Sequence, residues 1–191
     1  MRTERARRGA ALAGLLLAST LPMAAPVAAR TPPAAALDRL VELSAQRLQL
    51  ADAVAASKRR SGRPVEDAAR EGEQLQRLGD AAAARGLPRE AATAFFRAQF
   101  EANKLIQYRL LGEPPRRGEQ AADLDAIRVQ LDRLNGELLD RLGQGWQDAA
   151  RADCAAQSRQ ARERAARKRR LDGLHRIALS RALGDLCRRA P

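Results

Sequence analysis

A chain of 191 residues with a formal net charge of +12 and only 3% aromatic side chains has no stacking platform for single-stranded nucleic acid. Two cysteines and one histidine offer neither a metal cluster nor a thiol–imidazole pair. The charge points instead to an anionic partner of some kind.

The chain opens on a basic stretch, MRTERARR, followed by the apolar run GAALAGLLLAST and the small residues Val27-Ala28-Ala29. The apolar run is short for a membrane span. The order basic, apolar, small is that of a secretory signal peptide over 1–29, cleaved after Ala29. That segment holds four Arg and one Glu, so the remainder stays near +9. Export makes nucleic acid an unsuitable partner, and no membrane attachment is expected after cleavage. Residues 30–36, RTPPAAA, form a flexible lead-in, and 37–191 are long enough for one domain with a core.

The first helix is expected from Leu37 to Arg60, where Ser61-Gly62-Arg63-Pro64 ends it with a left-handed cap and a breaker. Its inner side holds Leu40, Val41, Ser44, Arg47, Leu48, Ala51, Val54, Ala55 and Lys58. Arg47 and Lys58 are eleven residues apart, three turns plus about 20°, so they share a face roughly 16 Å apart along the axis. An apolar strip with a cation at each end suits a small molecule that is anionic at two points. The alternative is two side chains snorkelling at the border of a core stripe.

A second helix is expected from Val65 to Arg85, with Glu66 and Asp67 in its first turn and Gly86 as its stop. The third, 88–111, starts on Pro88 and carries all three Phe residues, which marks it as the most buried. The fourth, 121–142, spaces Leu124, Ile127, Leu131, Leu134, Leu138 and Leu142 by threes and fours, and Gly143 and Gly145 break it. Two more helices fit 147–188, with a weak break at Leu171-Asp172-Gly173. The run Arg162–Arg170 (RERAARKRR) reads as one solvated helix surface. No alternating strand pattern and no Gly-rich phosphate loop interrupts this. The class is all-α, a single-domain bundle of about six helices. Cys154 and Cys187, in an exported chain, read as one disulfide. His175 reads as a surface or packing residue.

Several polar residues fall on inner faces: Arg70 and Gln74 with Glu71 on the second helix, Asn103 and Gln107 on the third, Arg128 on the fourth. With Arg47 and Lys58 they form a set of cations and amides on four successive helices, which a bundle interior could gather into a cage of donors.

Three stretches, RLQLADAVAASKRRSGRPVEDAAR at 47–70, FFRAQFEANKLIQY at 95–108 and DLDAIRVQLDRLNGELL at 123–139, resemble the secreted, all-helical chorismate mutases of the periplasmic subclass. The two late cysteines fit as well, and the resemblance spans 37–187. It implies an isomerase of aromatic amino acid biosynthesis that converts chorismate to prephenate without cofactor or metal, located in the periplasm or secreted. It also implies that a homodimer is common. Arg47, Lys58, Arg70 and Arg128 fall on the family's substrate-binding cations, and Gln74 on a substrate-contacting position. Glu71 falls where a Glu contacts the substrate hydroxyl in the cytoplasmic helical mutases. Asn103 stands where the family commonly has Thr or Ser. Gln107 stands where secreted members commonly have Glu and the bacterial cytoplasmic type has Gln.

The implied chemistry suits these residues. Chorismate carries two carboxylates, a ring hydroxyl and an ether oxygen, and its rearrangement is unimolecular, with no nucleophile or proton shuttle. Arg side chains can hold the carboxylates, which supplies positioning. Lys58 and Gln107 are the catalytic donors to the ether oxygen as it gains charge. The rival reading is a non-enzymatic basic helical protein that binds an anionic partner through residues 162–170.

Overall fold

The computed structural model describes residues 33–115, 123–145, 153–184 and 186–187. The expected signal peptide lies outside them. Six helices are described: α1 (Pro33–Ser61), α2 (Ala68–Ala83), α3 (Arg89–Leu111), α4 (Leu124–Gly145), α5 (Cys154–Lys168) and α6 (Gly173–Ala182). Among the described residues no strand is present, as expected for the all-α class.

Several boundaries differ by a few residues from the sequence expectation, among them α2 ending at Ala83 and α4 beginning at Leu124, and three have a clear physical reason. α1 begins at Pro33, inside the lead-in, because Pro is tolerated in a first turn and the Ala run that follows favours helix. Ala36 is already buried. α2 begins at Ala68, not Val65: Asp67 is its N-cap, and the carboxylate accepts from the Arg70 backbone N–H at 3.2 Å. The cap frees 62–67 to fold as a loop, and buried Val65 pins that loop down. α4 runs on through Gly143 to Gly145. A helical Gly costs only about 1 kcal/mol, and at Gly143 a Cβ would already touch the Leu87 side chain at 3.7 Å. Gly62 does end α1 as expected, with φ +66°.

α1 is the central helix. It packs against α3, α4, α5 and α6, whereas Phe-rich α3 packs against α1, α2 and α6. Small residues explain the difference: Ala45, Ala51, Ala55 and Ala56 are buried along α1 and let neighbours approach from several sides. Leu40, Leu43 and Leu48 fill the core with Phe96, Ile106, Leu134, Leu138 and Leu179. Phe95 and Phe96 meet edge to face, their ring centres 5.3 Å apart.

The basic run is less solvated than its composition suggests. Ala165 and Ala166 are buried, and Arg164 pairs with Asp38 of α1. Lys168 and Arg169 both reach Glu42 of α1, at 3.2 and 2.8 Å. Asp38 and Glu42 are four apart on one face of α1, so part of the positive charge docks α5 onto the bundle. Cys154 and Cys187 are bonded, with Cα atoms 5.7 Å apart, which ties the start of α5 to the chain beyond α6.

His175 is only 5% exposed. Asp172, the N-cap of α6, accepts from its backbone N–H at 2.9 Å and lies 2.7 Å from its Nδ1. Asp52 of α1 faces its Nε2 at 3.3 Å. The sequence reading of a packing histidine holds, but it missed both carboxylates.

Candidate active site

α1, α2, α3 and α4, together with the 62–67 loop, enclose a cavity of about 300 Å³. All eight residues singled out from the sequence line it: Arg47, Lys58, Arg70, Glu71, Gln74, Asn103, Gln107 and Arg128. Spacing explains the convergence. Arg47 and Lys58 share one face of α1 with Val54 between them, and Asn103 and Gln107 lie one turn apart on α3. Arg70, Glu71 and Gln74, at i, i+1 and i+4, lie on one side of α2, the helix that Asp67 caps.

The cations are held in different ways. Arg47 is buried, donates from Nε to Asn135 Oδ1 at 3.0 Å and from Nη1 to the Gln99 carbonyl at 3.1 Å, and lies over the Phe100 ring. Burial lowers its pKa to about 10, against the pull of Asp132, so it remains cationic at neutral pH. Lys58 Nζ donates to the Val65 carbonyl at 2.7 Å. Burial lowers the Lys58 pKa as well; Glu71 and Asp67 oppose this, and Arg128 and Lys104 add to it. Arg128 pairs with Asp125 at 2.6 Å. Among the described residues the Arg70 side chain has no hydrogen-bond or ion-pair partner, and it is partly buried.

The polar wall is tied internally. Gln107 Nε2 donates to Asn103 Oδ1 at 2.6 Å, and both amides are buried. Glu71 accepts from Lys104 Nζ at 3.1 Å. Gln74 reaches Asp132 at 3.5 Å, a weak contact near the cavity mouth.

Sequence reasoning did not single out Lys104, Arg63 or Asp67 as site residues, yet they line the cavity. Lys104 directly follows Asn103, but only tertiary packing brings its ammonium to Glu71 of α2. Phe100, one turn before Lys104, is buried as expected and also lines the cavity, with Arg47 Cζ 5.0 Å from its ring centre. In all, six cations and two carboxylates line the cavity. The excess positive charge, placed against Val54, Phe100, Leu124 and Leu131, suits a small dianion with an apolar ring.

Comparison with known proteins places the chain in a family. Residues 35–108 match the family model for chorismate mutase type II. The chain is 33% identical over 182 residues to a secreted chorismate mutase of Mycobacterium tuberculosis, covering 93% of this chain and 91% of the relative. It is 30% identical over 153 residues to a secreted chorismate mutase of Mycolicibacterium smegmatis, covering 78% of this chain and 84% of the relative. Among solved structures, a chorismate mutase from Burkholderia phymatum superposes with a TM-score of 0.77 at 35% identity, covering 82% of this chain and 99% of that one. One from Burkholderia thailandensis gives 0.75 at 31% identity, with 80% and 99% covered. A shared helical fold and an alignment spanning nearly the whole sequence place the chain in the chorismate mutase type II family.

Proposed function

We propose that this chain is an exported chorismate mutase and that the cavity among α1–α4 carries out the rearrangement of chorismate to prephenate. The observation that carries the reading is Arg47. It is a buried guanidinium whose hydrogen bonds, among the described residues, go to neutral oxygens, and it lines a cavity with surplus positive charge. Burying a cation with no directly paired counter-charge is costly, and Asp132 acts on Arg47 only through space. A substrate carboxylate would complete the missing pair and recover part of that cost on binding.

Arg47, Arg70 and Arg128 hold the two carboxylates by charge-assisted bonds. Fixing both ends of the substrate selects the folded conformer in which the new C–C bond can form. As the ether C–O bond breaks, its oxygen gains negative charge. Lys58 and an amide N–H of Gln107 stabilise that charge; both are at least partly buried, where such donors count for more than in bulk water. Asn103 sets the direction of the Gln107 amide. Glu71 accepts from the ring hydroxyl while Lys104 holds its carboxylate, and Gln74 lines the same end. The step is a concerted shift of three electron pairs within one molecule, in which the C–C bond forms as the ether C–O bond breaks and the double bonds move, so the protein gives and takes no proton.

The basic-then-apolar opening of the chain and the relatives named as secreted support export. The test is direct: protein lacking residues 1–29 is incubated with chorismate, and prephenate is quantified. Prephenate forming with the intact protein and lost with Arg70→Ala supports the reading. Chorismate left unchanged by the intact protein contradicts it.

A further inference from the structure

Arg47 enters the cavity already oriented. Its Nε donates to Asn135 Oδ1 at 3.0 Å and its Nη1 to the carbonyl of Gln99 at 3.1 Å. Its Cζ lies 5.0 Å from the centre of the Phe100 ring, a cation–π distance. Both anchors are buried. Asn135 is 4% exposed and Gln99 is fully buried. The Gln99 side chain itself donates to Ser44 Oγ at 3.1 Å and to the Ala182 carbonyl at 3.2 Å, so α1 and α6 both hold that residue in place. Asn135 lies seven residues after Arg128 on α4, with Leu131 between. The three share one face of the helix, so the helix that brings Arg128 to the cavity also brings the Arg47 anchor.

This arrangement limits what Arg47 can do. A guanidinium commonly grips a carboxylate with two parallel N–H groups, and one of its two forks is formed by Nε and Nη2. Asn135 occupies Nε, which removes that fork. Nη2 is the nitrogen left without a partner among the described residues. The plane of the group is set by Phe100 below and by the two carbonyl oxygens at its sides.

We infer that Asn135 is a positioning residue for substrate binding: it fixes the roll of the Arg47 guanidinium so that Nη2 is presented to one substrate carboxylate. The inference rests on the reading that the cavity binds chorismate. Asn135 touches no substrate atom and acts through Arg47. An apolar residue of similar size would leave the Nε–H of a buried cation without an acceptor, and the guanidinium would turn to find one.

A double-mutant cycle tests this. Asn135→Leu is made in the wild type and in Arg47→Ala, with kcat and KM for chorismate measured in all four proteins. In the wild-type background Asn135→Leu is expected to lower kcat/KM by about tenfold or more, as loss of a hydrogen bond to a charged group does, with KM carrying most of the change. In the Arg47→Ala background the same substitution is expected to change kcat/KM by less than about twofold, since residues acting as one unit are not additive. An equal loss in both backgrounds overturns the inference, because Asn135 would then support the bundle and not Arg47. Wild-type kinetics for Asn135→Leu overturns it as well. If Asn135→Leu does not fold, Asn135→Ala takes its place in the cycle under the same criteria. Failure of the underlying reading shows separately, as a wild-type protein that leaves chorismate unchanged.

Discussion

Gln107 and Asn103 meet on the cavity wall as a hydrogen-bonded pair of amides, Nε2 to Oδ1 at 2.6 Å. Asn103 Nδ2 and Gln107 Oε1 are buried without a partner among the described residues. Two amides joined in this way leave an NH₂ and a carbonyl free whichever way each is turned. The pair therefore keeps one NH₂ and one carbonyl unengaged on this wall, and neither depends on pH.

That pairing leads to a pH prediction. The Gln107 amide donates at any ordinary pH, so activity is expected to hold between about pH 5 and 8 as far as this position is concerned. In Gln107→Glu the carboxylate would face developing negative charge at neutral pH. Lys58 favours the ionised form and burial opposes it. Activity of the variant should fall by on the order of a hundredfold at the alkaline end, the usual cost of losing one such donor. It should recover toward acid as the carboxyl protonates. A variant with the wild-type rate and pH profile would remove Gln107 from the chemistry.

Charge inside the cavity and charge outside it should behave differently. Arg47→Ala, Arg70→Ala and Lys58→Ala are each expected to lower kcat/KM by about a hundredfold or more, with helix content by circular dichroism unchanged. Arg167→Ala, on the exposed face of α5, and Arg164→Ala, in an exposed pair with Asp38, are expected to stay within about twofold. Similar losses in both groups would show that general charge matters and not a site.

The fold was largely legible because amphipathic spacing marks helices strongly, and Leu124 to Leu142 on α4 shows the pattern well. Boundaries were less legible where a side chain decides them. Asp67 looked like an acidic residue of a first turn, but its carboxylate caps the helix. Gly143 looked like a stop, but a single helical Gly costs too little to end α4, which runs on to Gly145. At the site, the resemblance named the side chains that face the cavity. It did not name those that hold them, because such pairs join distant parts of the chain: Arg47 with Asn135, or Glu71 with Lys104. In the sequence Asn135 is one polar residue in LDRLNGELL, with nothing to mark it as the acceptor of a buried Arg.

The Cys154–Cys187 bond closes a loop of 33 residues, worth about 4 kcal/mol in the chain-entropy model. Cys154→Ser with Cys187→Ser is expected to lower Tm by on the order of 10 °C, while kcat/KM at a temperature where both proteins are folded stays within about threefold. Neither sulfur lines the cavity. Thiol labelling of unreduced, denatured protein should find no free thiol, and two reactive thiols would contradict the bond.

His175 gives stability a pH dependence of its own. The facing Asp52 carboxylate raises its pKa, burial opposes this, and Asp172 adds to the rise. Arg170 lines the same surface hollow. A histidine whose folded pKa is raised contributes stability that is fully present below the unfolded value of about 6.5. That stability is lost as pH rises through the folded value. The Tm difference between wild type and His175→Gln should therefore be largest in mild acid and shrink toward alkaline pH. A difference that stays constant across that range would show that His175 acts by packing alone.

The proposed reaction depends on capture of two carboxylates by cations that α1, α2 and α4 bring to one cavity. The measurement that tests this most directly is kcat/KM for chorismate beside that for each of its two monomethyl esters. Each ester removes one negative charge and one charge-assisted pair, and each is expected to turn over at least about a hundredfold less efficiently than the diacid. An ester that reacts as efficiently as chorismate would show that one of the two carboxylates is not held, and would contradict the account.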